Sequence, residues 1–202
     1  GVHNVSEAEL WQAIRQASHQ ANLVAQLEEI GLFAVLYTDF TELRFANGSR
    51  KAYLMPIIGH TSKLAFGWAV GPSANTQLAL AAWAMAKATF RELGCAWRDV
   101  IMHHDRDPVY TGYEWTAQLL IEDELRLSYA MRGARDNPEM ESFNSHSKGE
   151  GESLFLEAET LTQLRQVVDQ RMAYYNGERR HSSIGYQAPL AFIQQVRNGR
   201  NE

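Results

Sequence analysis

From Leu32 to Phe40 the chain is nearly continuous in apolar and β-favouring residues, the pattern of a central strand covered on both faces. Two more strand segments follow on short connections. Arg50 to Ile58 comes after an Asn47-Gly48 turn, and in Lys63 to Val70 the residues Leu64, Phe66, Trp68 and Val70 alternate with small ones. Three consecutive strands joined in this way predict an antiparallel meander. Asn75 to Leu93 then reads as an Ala-rich helix and Val100 to His104 as a short buried strand ending directly on Asp105. Thr111 to Glu124 reads as a helix and Leu125 to Met131 as a fifth strand. The remainder is helical: about Pro138 to Lys148, Leu161 to Tyr175, and a last segment opened by Pro189 at the first-turn position. Gly149 and Gly151 are expected to separate the first two of these. A meander followed by strands alternating with helices makes a mixed α/β sheet with helices on both faces.

Ahead of that sheet, Ser6 and Glu9 form a capping-box pattern, and Leu10, Trp11, Ile14, Ala17, Ala21, Val24 and Leu27 recur at helical spacing. The helix is expected to end near Glu28 to Ile30. Residues 1–30 are therefore expected to form a helical arm or linker, and 31–202 a core with C-terminal helices. The composition fits one globular domain: 202 residues, 45% hydrophobic, 21% charged, formal net charge −5. A lone Cys95 cannot form an internal disulfide, and no apolar run approaches the length of a membrane span. A stapled secreted mini-domain and a transmembrane protein are thus excluded, and a reducing, cytoplasmic setting is the expectation. The acidic balance argues against a histone-like binder of nucleic acid, although net charge does not locate basic patches. The start at Gly1 is read as the mark of a piece of a longer protein.

Two acids occupy comparable places, Asp39 near the end of the first strand and Asp105 at the end of the fourth. Ligand sites of open α/β sheets collect at strand ends. If these strands are neighbours, the carboxylates repel unless a cation sits between them. Glu141 is the candidate third acid: Asn137 can cap a helix, Pro138 can open it, and Glu141 then lies in the first turn, where the helix dipole favours the ionised form. Met140 and Phe143 would face the core, while Glu141, Asn144, Ser145 and Lys148 share roughly one outer face.

These residues resemble the DDE transposase and retroviral-type integrase catalytic cores, especially those of bacterial insertion-sequence transposases. The matching segments are Tyr37-Thr38-Asp39-Phe40-Thr41; His103-His104-Asp105 with Tyr110-Thr111; and Asp136-Asn137 with Met140-Glu141-Ser142-Phe143. Thirty-five residues separate Asp105 from Glu141, the spacing that gives the family its name. Tyr174-Tyr175-Asn176, Arg179, His181-Ser182-Ser183-Ile184-Gly185-Tyr186 and Pro189 resemble the end of such cores, so the likeness covers about residues 31–195. It implies a ribonuclease-H-like fold, with an antiparallel meander and two parallel strands in a five-stranded mixed sheet. Asp39, Asp105 and Glu141 would hold two Mg²⁺ or Mn²⁺ ions, whose preference for hard oxygen ligands matches carboxylates. The implied activity is cleavage of DNA ends and their transfer to target DNA, by water and then by the freed 3′-hydroxyl. DNA and a homodimer or higher homo-oligomer are the implied partners, with no membrane. Lys148 resembles the family's DNA-contacting lysine; Arg132, Arg135, Arg179 and Arg180 are further candidate DNA contacts. The chain departs from the insertion-sequence pattern in having Asp107-Pro108 where a Gly-Ser pair is usual, in a slightly shorter loop from Arg132 to Asn137, and in the interruption by Gly149 and Gly151.

Competing readings are weaker. His103, His104 and Asp105 could suggest a His/Asp metal site, but neighbours on a strand point to opposite faces, so both histidines cannot easily serve one ion. Arg179, Arg180, His181 and Tyr186 invite a tyrosine-recombinase reading, yet the other partners of such a site are missing nearby. A helix-end loop whose arginines touch phosphate or a partner subunit is the plainer account. Trp68, Trp83, Trp97 and Trp115 are most simply core or subunit-interface aromatics. A nuclease of the same fold that cuts without joining, or a noncatalytic DNA-binding or assembly module, are the functional alternatives.

Overall fold

A computed structural model describes residues 6–19, 22–131 and 138–200, without the side chains of 14–19, 138, 139, 141, 142 and 145–148. The strands are β1 (Val35–Thr38), β2 (Thr41–Phe45), β3 (Arg50–Gly59), β4 (Ala65–Gly71), β5 (Ile101–His104) and β6 (Arg126–Tyr129). β3 pairs antiparallel with β1, β2 and β4, whereas β5 is parallel to both β1 and β6. The sheet therefore has six strands and not the expected five. The extra one arises because the first strand is split at Asp39 and Phe40. Register against β3 runs unbroken across the split, from Thr38 opposite Ile57 to Thr41 opposite Leu54. Asp39 thus faces Pro56, which has no N–H to give a ladder, and the Thr38 hydroxyl donates to the Pro56 carbonyl at 2.8 Å. Ala46 and Asn47, both left-handed, close the β2–β3 hairpin, with Gly48 also at positive φ; Gly, which has no β-carbon, and Asn tolerate this region best.

Alternation along the strands sorts the core into two layers. Leu36, Met55, Ile57, Phe66 and Met102 face α2 (Thr76–Glu92), Trp115 of the short helix α4 (Tyr113–Thr116), and Ile193 of α7 (Pro189–Asn198). Val35, Tyr37, Leu54, Ile58 and Ile101 face α5 (Pro138–Glu157) and α6 (Leu161–Gly177). The Asn75 side chain caps α2 by accepting from Leu78 N–H, and Thr160 caps α6 through Gln163 N–H. Gly67 lets α2 lie directly on β4, since a β-carbon there would collide with the Ala82 carbonyl oxygen and the Ala86 backbone nitrogen. On the other side the Asn176 amide mimics a neighbouring strand: it accepts from Ala65 N–H at 2.8 Å and donates to the Ala65 carbonyl at 3.0 Å.

Three helical expectations are corrected. The Ser6–Glu9 capping box forms and opens α1 (Glu7–His19), but the helix does not continue to Glu28–Ile30. Val24–Gln26 is a single 3-10 turn instead, and Leu23 N–H donates to the buried Ser128 hydroxyl, so tertiary anchoring replaces helical propagation. The helix expected over Thr111–Glu124 is broken into α3 (Pro108–Thr111), α4 and a π-helical stretch Ala117–Glu122. Pro108 sets the earlier start, with the Asp107 carboxylate accepting from Val109 N–H. Finally, α5 runs through Gly149 and Gly151 without a break. The helix cost of each glycine is only about 1 kcal/mol, and at Gly151 the missing side chain admits Phe155 and Arg171, both 3.2 Å from where a β-carbon would stand. Among the described residues no helix is long and apolar enough to cross a membrane.

Candidate active site

The parallel pairing of β1 with β5 sets Val35 beside Ile101 and Tyr37 beside His103. Two residues further on, just past both strand ends, come Asp39 and Asp105, close enough for the Asp105 charge to act on the Asp39 carboxyl. Both share the parity of Tyr37 and Ile101, which pack in the layer under α5 and α6. Asp39 is half-buried, and its Oδ1 accepts from Phe40 N–H at 2.8 Å. Asp105 Oδ1 accepts from Asp107 N–H at 2.8 Å. Burial, and then the charge on Asp105, push the Asp39 carboxyl up to about 6; the Phe40 N–H opposes this and Asp107 adds to it. The two carboxylates repel each other, and such hard oxygen donors fit a divalent cation that would relieve the repulsion.

Helix α5 carries the backbone of the candidate third acid, Glu141. Met140 and Phe143 are buried against the sheet, as the helical spacing predicts, and Glu141 sits in the first turn between them. The side chains of Glu141 and Lys148 lie outside the described residues, as do Arg132 and Arg135 in full. Among the described residues no group of three His, Cys, Asp or Glu side chains is gathered to hold a metal; Asp107, near the pair, turns its carboxylate to the start of α3.

Both histidines before Asp105 are fully buried, and they face opposite ways. His103 Nδ1 is 2.8 Å from the Ser128 hydroxyl and its ring meets Tyr37 edge-on. His104 lies on the other face, between Asp105 and Trp115. The shared-ion reading of the two histidines therefore has no geometric basis. Arg179 and Arg180 also part company. Arg179 pairs with Glu150 at 3.3 Å and contacts the His181 ring, with its side chain only 13% exposed, whereas Arg180 is exposed. Glu150 holds Arg171 as well, at 3.4 Å, so it ties α5 to the C-terminal half of α6 and to the segment just beyond it. Trp83 and Trp115 are core residues, and Trp83 Nε1–H donates to Asp123 at 2.7 Å. Asn176 and Trp115 were visible in sequence only as motif or core residues; their hydrogen bonds join segments far apart in the chain and leave no local signal.

A six-stranded mixed sheet with two acids at its parallel strand ends, sandwiched by helices, is the ribonuclease-H-like fold of integrase and transposase catalytic cores. The chain superposes on the catalytic core domain of HTLV-2 integrase, a structure in complex with magnesium in its dimeric form, with a TM-score of 0.59 at 13% identity over 78% of this chain and 94% of that one. For the catalytic domain of Mos1 mariner transposase the TM-score is 0.53, at 14% identity, covering 85% and 84%. A simian T-cell lymphotropic virus intasome, in complex with PP2A regulatory subunit B56 gamma, gives 0.60 at 13% identity; the match covers 76% of this chain, which spans only 52% of the chain it matches there. No curated protein matches the sequence. Residues 125–189 match the family model of the integrase core domain, a stretch running from the start of β6 through α5 and α6 to the first residue of α7.

Proposed function

We propose that this chain is the catalytic core of a DNA transposase or integrase of the DDE type, with Asp39, Asp105 and Glu141 as its catalytic and metal-holding residues. The observation that supports the reading best is the closeness of Asp39 and Asp105, each the first residue past the end of one of two adjacent parallel strands, on a core whose helix α5 has Glu141 in its first turn. Two Mg²⁺ or Mn²⁺ ions bound there would supply the positive charge that activates an attacking oxygen and steadies a leaving one at a phosphodiester. The chain's own part is to hold that charge in place. Asp105 is fixed by Asp107 N–H, and Asp39 by Phe40 N–H, so neither carboxylate has to be ordered when DNA arrives.

Lys148, Arg132, Arg135 and Arg180 are assigned to contact with the DNA backbone. Arg179, held by Glu150, shapes the α5–α6 junction and is the weakest of the five assignments. DNA ends and target DNA are the substrates, and two copies of the chain serve the paired ends. Labelled DNA ends incubated with the protein and Mn²⁺ test the reading. Joined product is expected; cleavage that never joins would favour a nuclease, and binding without cleavage an assembly module. Replacing Asp39, Asp105 or Glu141 by its amide should abolish both steps, and intact activity in any of the three would remove that residue from the site.

A further inference from the structure

Beneath the two acids, on the opposite face of the sheet, lies a continuous set of aromatic contacts that the catalytic reading does not use. Phe40, next to Asp39, stacks on Tyr110 with ring centroids 5.6 Å apart. Tyr110 stacks on His104, next to Asp105, at 4.3 Å and 9° between planes. Tyr110 is therefore wedged between the neighbour of one acid and the neighbour of the other. His104 carries a second constraint. Trp115 Nε1–H, which can only donate, lies 3.1 Å from His104 Nε2, so that nitrogen must offer its lone pair. The ring proton then sits on Nδ1, 2.9 Å from the Asp105 carbonyl oxygen, and donates to it. Tyr129 closes the far side edge-on at 4.9 Å, and all four rings other than Phe40 are buried.

We propose that His104 is a positioning residue: locked by Trp115 as the neutral Nδ1–H tautomer and stacked on Tyr110, it fixes the Asp105 main chain and so sets the distance between the Asp105 and Asp39 carboxylates. The inference rests on the reading of those acids as metal ligands. A buried ring bonded at both nitrogens and stacked on a face has no rotational freedom left, and the strand end it holds is where the sheet's own ladder stops, at His104 opposite Tyr129. Partners one step removed from a metal ligand typically govern affinity by about 10–100-fold.

The test combines nitrogen-15 NMR of the metal-free protein with Mn²⁺ titration by calorimetry. In the wild type the His104 ring should show a protonated Nδ1 and an unprotonated Nε2. His104→Phe keeps the stack and loses the donor, and its Mn²⁺ affinity should fall about tenfold or more; His104→Asn restores a donor near Nδ1 and should recover most of that loss. Trp115→Phe leaves His104 in place but frees its Nε2, and should give mixed tautomers with an intermediate affinity. This variant keeps the test decisive if His104→Phe fails to fold by circular dichroism. Asp39→Asn is the control for the underlying reading. If Asp39→Asn loses Mn²⁺ while His104→Phe and Trp115→Phe bind as tightly as wild type, the positioning role is overturned and the metal site stands. Wild-type protein that binds no Mn²⁺ overturns both, and a ring protonated on Nε2 overturns the tautomer lock.

Discussion

Replacing Asp39 by Asn should make the metal-free protein more stable while removing its activity. The Asp39 carboxyl is raised from 3.8 to about 6 by burial and by the Asp105 charge, so between those values the native state holds a proton that the unfolded chain has released. Stability therefore falls as pH rises across that window. Two pKa units correspond to about 3 kcal/mol, all of it present at pH 7.5 and absent below pH 3.8. An Asn amide carries no charge at any pH, and its oxygen can still accept from Phe40 N–H. The expected gain at pH 7.5 is about 2–3 kcal/mol, or roughly 4–12 °C for a domain of this size. Urea denaturation in EDTA, followed by tryptophan fluorescence, measures it at pH 7.5 and pH 3.5. The two proteins should differ at the first and converge at the second, and Mn²⁺ should stabilise only the wild type. If Asp39→Asn is no more stable than wild type at pH 7.5 in EDTA, the carboxylates are not in repulsive proximity and the proposed site is misread.

His104 should drive the acid limb of stability: burial lowers it from 6.5 to about 3, so the unfolded chain alone takes up its proton as pH falls through that window, at a cost approaching about 5 kcal/mol. Comparing denaturation of wild type and His104→Phe from pH 7 to pH 4 should show a flatter slope in the variant. Gly67→Ala should cost about 3 kcal/mol or more, because a β-carbon there meets backbone atoms of α2 that cannot yield separately; a thermal midpoint within a degree of wild type would show that α2 is not seated on β4. Asn176→Ala should cost about 1–3 kcal/mol by leaving both Ala65 backbone groups without their partner, and hydrogen exchange at Ala65 N–H should accelerate in step.

What the sequence revealed of this molecule follows from which forces act locally. Pro138 and Pro189 at helix starts and the Ser6–Glu9 box are short-range signals, and each appears where expected; the even alternation expected from Leu64 to Val70 does not hold, because a register shift in the β3–β4 pairing sends Leu64 and Phe66 to the α2 side and Trp68 and Val70 to the α5–α6 side. The split of the first strand was hidden because it depends on Pro56, which lies seventeen positions beyond Asp39 and becomes its neighbour only through the register of β3. The passage of α5 through Gly149 and Gly151 was hidden for a similar reason: glycine propensity is weak, and the packing of Phe155 and Arg171 at Gly151 that outweighs it is made with α6. The three candidate acids stood out in the sequence as an ordered motif, but the closeness of Asp39 and Asp105 follows from the parallel pairing of β1 and β5, which no local spacing announces. The aromatic wedge beneath them joins Phe40, His104, Tyr110 and Trp115 from three separate segments, and no spacing in the chain announces it.

The most direct measurement is a crystal structure of the protein soaked with Mn²⁺, with data collected at the manganese edge. Two anomalous peaks about 3.5–4 Å apart, each within about 2.3 Å of carboxylate oxygens from Asp39, Asp105 and Glu141, are the predicted result. An ordered site with no manganese, or with Glu141 held more than about 10 Å from Asp105, could not share ions among the three side chains and would contradict the assignment.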